Sequence, residues 1–331
     1  MKHLNNKKYF PLFIFIALLL LLSKESYSWG FYSHRVINRH AVFCLPPQML
    51  GFYKNHIEYL TEHSVAPDKM SHVNPEEAPR HYIDIDHFGE NPFALMPIFW
   101  NAAVEKFSED TLKKHGILPW YISKMLTKLT QAFKDENPTE IIRLSAHIGH
   151  YIADATVPLH TTKYYNGRTP EQRGIHAFWE TRLPELYAKD YDFFVGRATY
   201  IENGQKKAWE LVKESHFQVD TVYMIYEYLI DSLPSDKVFV YDTRGTITKR
   251  NYSLEFSSEF VRLSKNMIER NIRRAVHAVA SYWYTAWVNA GQPDLNKLLD
   301  KEMIKDMKKK QKELDHLWKH GEPVGRPNPE E

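Results

Sequence analysis

The segment from His147 to His160, HIGHYIADATVPLH, constrains the fold more than any other part of the chain. His150 and Asp154 are four residues apart, so on an α-helix they share one face about one turn apart and can bind the same metal ion. Pro158 cannot continue a helix, and His160 should therefore lie just past its end. The segment predicts a metal-binding helix that runs to about Val157.

The same spacing recurs in the segment GIHAFWE, where His176 and Glu180 are again four residues apart. Imidazole and carboxylate groups are ligands that zinc takes in proteins. A single histidine or carboxylate on a helix is more often solvated or hydrogen-bonded. Two such pairs between residues 150 and 180 instead predict a zinc site that holds several ions.

The first 28 residues have the pattern of a secretory signal peptide, with an early group of lysines, an apolar run from Phe10 to Leu22 and small residues at 26–28. The run is shorter than the roughly 20 apolar residues that a membrane span needs, so an uncleaved anchor is the weaker alternative. We therefore expect export to a periplasm or out of the cell. Cleavage after Ser28 would leave Trp29 with a free amine that, with its own carbonyl oxygen, can bind a metal.

Composition sets limits on the rest of the chain. With 331 residues and 43% hydrophobic residues, the protein can bury a sizeable core. The net charge of +2 points to no polyanionic partner, although this value is compatible with a local basic groove. Cys44 is the only cysteine, so the chain forms no intrachain disulfide and should depend on its core, on bound metal, or on both.

Apolar residues recur at three- and four-residue spacing through most of the chain, which favours an all-α fold. We expect one mostly helical domain over residues 29–292, followed by a polar tail over residues 293–331 that is partly helical or disordered. A weakly alternating stretch from Lys237 to Tyr252 could form a small hairpin. The predicted helices span Ser33–Phe43, Gln48–Thr61, Pro97–His115, Pro119–Lys134, Pro138–Val157, Asn203–Leu233 and Ser257–Ala290.

Taken together, these residues resemble the superfamily of zinc-dependent phospholipases C and S1/P1 nucleases. Its members begin with a processed Trp and carry an early His, an Asp, a further His, a His-x3-Asp-x5-His block and a final His-x3-Asp/Glu. The resemblance implies a mostly helical domain with a cleft for three zinc ions. The matching positions here are Trp29, His34, Asp68, His81, His150, Asp154, His160, His176 and Glu180.

The resemblance also implies a division of these ligands among three zinc ions. One ion would be held by Asp68, His81, His150 and Asp154, a second by Trp29, His34 and Asp154, and the third by His160, His176 and Glu180. Asp154 would bridge the close pair, and a zinc-bound hydroxide would attack phosphorus. Asp68 would also orient that nucleophile or accept its proton. Tyr82 could stack on a substrate base or headgroup, or could simply belong to the core.

The implied activity is hydrolysis of phosphate diesters, which two functions would fulfil, and a third function of another class stands beside them. The first expectation is a secreted S1/P1-type nuclease for single-stranded nucleic acid, because Trp29 and His34 are close in sequence and Trp179 precedes the last carboxylate. The alternative is a phospholipase C, which Glu180 in place of Asp favours and which would bring contact with a membrane. The third is a non-catalytic, zinc-stabilised envelope protein. None of them requires an obligate protein partner.

Overall fold

The structure is a computed structural model that describes residues 30–244, 247–298 and 303–321. It confirms the all-α fold class, with one small hairpin. The signal-peptide segment 1–28 and Trp29 lie outside the described residues. The helices are α1 (Phe31–Ala41), α2 (Pro47–Asn55), α3 (Ile57–Glu62), α4 (Ala66–Val73), α5 (Pro92–Leu95), α6 (Trp100–Phe107), α7 (Glu109–Lys114), α8 (Leu118–Lys134), α9 (Pro138–Asp154), α10 (Ile175–Ala177), α11 (Leu183–Tyr187), α12 (Gly204–His216), α13 (Val219–Ser232), α14 (Ser235–Val238), α15 (Leu254–Leu263), α16 (Met267–Asn289) and α17 (Met303–His320).

Helix α9 lies at the centre of the domain and carries the predicted metal-binding face. It starts as the sequence predicts: the side chain of Asn137 accepts a hydrogen bond from the Glu140 amide, and Pro138 occupies the first turn. Every residue from Leu144 to Asp154 is buried, with α1, α8 and α16 packed around the helix. A helix enclosed on all sides can hold polar side chains only where they have polar or metal partners.

Four long predicted helices are interrupted in the structure. The segment Pro97–His115 forms α6 and α7, which meet at Ser108 with φ of 68°, and the Ser108 hydroxyl caps α7 by accepting from the Thr111 amide. The segment Ser257–Ala290 is divided at Lys265 and Asn266, both with positive φ. The other two breaks fall at His56 and at residues 217–218. Apolar spacing continues across breaks this short, so periodicity alone did not reveal them.

The predicted hairpin is confirmed. Strands β1 (Phe239–Arg244) and β2 (Ile247–Tyr252) are antiparallel, with Phe239 opposite Tyr252. The ring of Tyr252 lies 4.4 Å from that of Phe178, at the start of a π-helical segment, Phe178–Arg182, that joins α10 to α11. The hairpin therefore packs behind the segment that carries Glu180.

The polar tail forms helix α17, which packs on α4. Lys69 Nζ lies 2.6 Å from Asp315 Oδ1, and the rings of Phe31 and Trp318 are 5.6 Å apart. The tail thus covers part of α4 and the start of α1. Among the described residues, no helix is long and apolar enough to cross a membrane.

Candidate metal centre

The first group of potential ligands joins α4, α9 and the turn that follows residues 78–80. His150 Nε2 lies 2.9 Å from His81 Nδ1 and 3.4 Å from Asp68 Oδ1. All three side chains are buried, and one ligand atom from each lies within 4.8 Å of the other two. The turn at residues 78–80 matters here because it places His81 against α9. His81 and His150 are distant in the sequence but in contact in the fold.

A second group adds His34 from α1. The rings of His34 and His150 stack with centroids 3.8 Å apart, and His34 Nε2 lies 3.6 Å from Asp154 Oδ1. The other carboxylate oxygen of Asp154 lies 3.3 Å from His150 Nε2 and 3.1 Å from His81 Nδ1. Asp154 therefore presents one oxygen to each group, which is the arrangement that a bridging carboxylate requires.

The third group comes from the turn after α9 and from the π-helical segment. Glu180 Oε2 lies 3.2 Å from His160 Nε2 and 2.7 Å from His176 Nε2. His160 Nδ1 is also 3.6 Å from Asp154 Oδ1, so this group adjoins the other two. The predicted i, i+4 relation of His176 and Glu180 persists although the segment is wound partly as a π-helix.

Backbone carbonyl groups orient three of the histidines. Nδ1 of His150 is 2.8 Å from the Ser64 carbonyl, Nδ1 of His160 is 2.7 Å from the His81 carbonyl, and Nδ1 of His176 is 3.2 Å from the Tyr165 carbonyl. A carbonyl can only accept, so Nδ1 carries the proton and donates it. Nε2 is then the nitrogen left to bind a metal ion, as in other metal-binding imidazoles.

Buried carboxylate oxygens show that a cation fits this arrangement. Asp68 Oδ2 and Asp154 Oδ1 are inaccessible to water, and within the described chain neither accepts a hydrogen bond. An anionic oxygen left in that state costs several kcal/mol unless a cation or proton compensates it. A donor set of imidazole nitrogens and carboxylate oxygens around that charge is the chemistry of a zinc site.

Residues 33–230, more than half of the chain, match the sequence family described as zinc dependent phospholipase C. The chain belongs to this family. The match confirms both the superfamily that the sequence resembles and zinc as the cofactor.

A comparison with solved structures finds two that are similar to this zinc-dependent phospholipase C family member. Alpha toxin from Clostridium absonum is 14% identical with a TM-score of 0.45, and the match covers 81% of this chain and 65% of the toxin. Alpha-toxin of an avian strain of Clostridium perfringens is 13% identical with a TM-score of 0.47, covering 80% and 65%. The chain thus spans 65% of the length of each toxin. No curated protein matches it in sequence.

Burial and mutual charge set the protonation of the centre. Burial, with His150 beside it, lowers the pKa of His34 to about 3, so His34 is neutral and can bind metal. Burial alone would lower the pKa of His150, but the carboxylates of Asp154 and Asp68 hold it well above its usual value. Burial raises the pKa of Glu180 to about 8. Without metal, the centre therefore holds protons that a dication would displace.

Eight of the nine residues matched by the resemblance meet in this centre, and Trp29 lies outside the described chain. Gly30, the first described residue, nevertheless lies against the segment that carries Glu180. Gly30 packs so closely that a β-carbon there would lie 3.0 Å from the Glu180 carbonyl oxygen, which also accepts from the Ser33 hydroxyl at 3.4 Å. The role of Trp29, the residue before Gly30, stays a prediction.

Tyr82, singled out for substrate contact, is buried. Its hydroxyl donates to the Lys114 carbonyl at 3.4 Å, and its backbone and ring closely surround Gly116. These contacts favour the alternative that Tyr82 is a core residue, and its contact with substrate stays a prediction.

Sequence reasoning missed Glu77. This carboxylate is 1% exposed and accepts hydrogen bonds from the Tyr151 hydroxyl and the Arg80 guanidinium, while its Oε1 lies 3.8 Å from His81 Nε2. Glu77 and His81 are four residues apart, the same spacing that marked the two other pairs. That spacing could have revealed it, although here a 3₁₀ turn rather than an α-helix joins the two residues.

Proposed function

We propose that this family member is an exported phospholipase C that hydrolyses the phosphodiester bond of phospholipids with zinc as cofactor. One observation carries the proposal: the three ligand groups, from His34 to Glu180, lie wholly inside the span that matches the family. That family is one of phospholipases, so phospholipid takes precedence over the single-stranded nucleic acid that the sequence first suggested. Export rests on the signal-peptide pattern of residues 1–28.

The ligands divide among three ions as the resemblance implies. Asp68, His81, His150 and Asp154 would hold one ion, Trp29, His34 and Asp154 a second, and His160, His176 and Glu180 a third. Zinc supplies positive charge against the phosphate oxygens and yields a nucleophile from water near neutral pH.

The chain's own groups prepare this chemistry. The carbonyl groups of Ser64 and His81 hold the Nδ1 protons of His150 and His160, so neither ring has to reorient when metal binds. Asp68 lies at the edge of the centre with a buried oxygen that accepts no hydrogen bond from the described residues. That oxygen can take the proton that the nucleophile gives up. The closed surroundings keep bulk water from competing for these groups.

The test uses the chain that starts at Trp29, purified with zinc, and offers it phosphatidylcholine and single-stranded DNA separately. We expect release of phosphocholine and diacylglycerol, lost in Asp154→Asn. His147→Gln is the matched control: His147 lies on the same helix and is buried, its pKa is held well below the usual value by burial, and it belongs to none of the three groups. A neutral glutamine should replace this neutral ring without loss of activity.

The outcomes separate the three functions. Cleavage of DNA alone, lost in Asp154→Asn, would return the protein to the nuclease branch and contradict the proposal. Zinc that restores the fold of chelated protein without hydrolysis of either substrate would instead indicate a non-catalytic envelope protein.

A further inference from the structure

A cavity of about 580 Å³ opens beside the third ligand group. Thr162 lines it two residues after His160, and Tyr164 lines it next to Tyr165, whose carbonyl oxygen holds His176. The cavity is therefore joined to the metal centre through the short segment from His160 to Tyr165. None of the eight potential ligands in the described chain lines it.

Large apolar side chains are exposed around this cavity. Phe217, at the junction of α12 and α13, is 66% exposed, and Tyr164 is 42% exposed. Phe93, which is half-buried, also lies on the cavity wall, with its ring 6.0 Å from that of Phe217. Two more exposed residues follow Phe93 in the chain: Leu95, at the end of α5, is 48% exposed, and Phe99 is 60% exposed. We call Phe93, Leu95, Phe99, Tyr164 and Phe217 the apolar rim.

Helix α12 links the far end of the rim to the cavity. Trp209 on this helix donates its indole N–H to the Ile98 carbonyl at 3.2 Å, which fixes the neighbouring Phe99. Lys213, one turn further along α12, lines the cavity. Helix α12 thus contacts both the segment that carries Phe99 and the wall of the cavity.

Lysines are interleaved with these rings. Lys213 Nζ lies 5.9 Å from the Phe93 centroid and 5.8 Å from the Phe217 centroid. Lys163 Nζ is 5.0 Å from the Tyr164 centroid, and Lys106 donates to the Leu95 carbonyl at 2.7 Å. Within the described chain, we find none of the three lysines in an ion pair with a carboxylate, so their charges remain available to an anion.

Two of the three carboxylates on the cavity wall already accept hydrogen bonds from neighbouring residues. Asp86 accepts from the Thr162 hydroxyl at 2.7 Å and from the Lys163 amide at 3.0 Å. Asp220 accepts from Arg168. Glu90 is the remaining carboxylate on the wall. The surface therefore combines exposed rings and aliphatic groups with available cations.

We propose that the apolar rim, with Lys106, Lys163 and Lys213, is the face by which this protein docks on a phospholipid bilayer. This inference rests on the proposed function and deepens it. Exposed aromatic and aliphatic groups enter the boundary between headgroups and acyl chains, while lysines beside them meet lipid phosphates. Docking there would bring the third ligand group, which lies beside the cavity, close to the lipid headgroups.

The observations favour a bilayer over nucleic acid. Single strands bind through successive stacking rings along a continuous cationic groove. Here Leu95 offers no ring, only three lysines are available, and Glu90 lies among them. A bilayer needs no periodic arrangement, and a mixed apolar and basic surface suits it.

The experiment measures sedimentation of the zinc-loaded full mature chain with vesicles of equimolar phosphatidylcholine and phosphatidylglycerol, and hydrolysis of monomeric dihexanoylphosphatidylcholine in parallel. We expect Phe217→Ser to weaken vesicle binding at least about tenfold and Lys213→Gln about fivefold. Both should keep the rate on the monomeric lipid. Phe194→Ser is the matched control, because Phe194 is 86% exposed and lies outside the rim, and it should bind vesicles normally.

Several outcomes would overturn the docking face. These are absence of vesicle binding by the parent chain, equal binding by Phe217→Ser, and an equal loss in Phe194→Ser. Binding of single-stranded DNA that Lys213→Gln removes, without binding of vesicles, would assign the face to nucleic acid instead. Vesicle binding through the rim without cleavage of any phospholipid would support docking and refute the proposed function, so the two can fail separately.

Discussion

Asn38 and Gly149 fit together so closely that a β-carbon on residue 149 would lie 2.1 Å from Asn38 Oδ1. The Asn38 amide donates to the Ala146 carbonyl at 3.0 Å and to the Leu60 carbonyl at 3.2 Å. One buried side chain thus joins α3 to α1 and α9. Helix α1 carries His34, and helix α9 carries His150. The glycine next to His150 is what lets α1 approach α9 so closely.

Gly149→Ala should therefore lower the free energy of unfolding by about 1–3 kcal/mol, because Asn38 must move and lose its hydrogen bonds. Denaturant titration of metal-free protein measures this. Gly51→Ala is the matched control: no atom lies within 4 Å of a β-carbon there, and it should stabilise helix α2 by about 0.5–1 kcal/mol. Equal effects of the two changes would refute the close fit.

Glu77 should strengthen metal binding through His81. Glu77→Gln keeps the shape of the side chain but removes the charge that faces His81 Nε2, and we expect zinc affinity at that site to fall by about 10–100-fold. Competition with a chromophoric chelator measures the affinity without any substrate. Glu76→Gln is the control, since Glu76 is exposed and its carboxylate pairs only at 3.4 Å with Lys113. Unchanged affinity in Glu77→Gln would show that Glu77 serves folding alone.

His63 should make stability depend on pH. Burial lowers its pKa from 6.5 to about 4. Below pH 6.5, His63 binds a proton in the unfolded chain but stays neutral in the native protein. The free energy of unfolding therefore falls as the pH drops toward 4. At pH 5 this amounts to about 2 kcal/mol.

His63→Gln should remove that part of the pH dependence. The measurement is the difference in unfolding free energy between pH 7 and pH 5 in metal-free protein, which should be smaller in the variant. Comparison with the parent chain matters because burial also lowers the pKa of His56 and His147. An identical difference in parent and variant would show that His63 titrates normally.

Asp315 should hold the tail helix on the domain. Its carboxylate is the ion-pair partner of Lys69, whose side chain is only 10% exposed. In Asp315→Asn the buried ammonium loses its partner, and the least costly response is release of α17, which returns Lys69 to water. Hydrogen exchange of residues 303–320 should accelerate while that of α9 stays slow. Glu313→Gln, an exposed change on the same helix, should leave the exchange unchanged; equal acceleration in it would refute the assignment.

The parts that sequence reasoning predicted are those that local spacing encodes. His150 and Asp154 had to share a helix face once α9 formed, and Asn137 with Pro138 marked where that helix begins. The breaks at Ser108 and Asn266 depend on residues with positive φ, which these side chains adopt only rarely. Periodicity does not report such turns.

Local sequence patterns also do not predict the contacts that hold the metal centre together. Glu77 acts through Tyr151 and His81, which converge only after folding, and the packing of Tyr82 around Gly116 is likewise tertiary. The docking of α17 uses tertiary contacts such as the Lys69–Asp315 ion pair and the Phe31–Trp318 ring contact, in a segment whose composition alone permitted disorder.

The π-helical segment Phe178–Arg182 gives the third ligand group a local tolerance of chain length. A π-turn holds one residue more than an α-turn, so the extra residue is absorbed within the segment and the helix after it keeps its direction. Deleting Thr181 would let an ordinary α-turn close, while His176 and Glu180 stay four residues apart and Leu183 stays on the face that packs on the core. Loss of one peptide unit here is therefore a small disturbance to the ligands. The same loss between His150 and Asp154 would rotate one ligand by about 100° relative to the other.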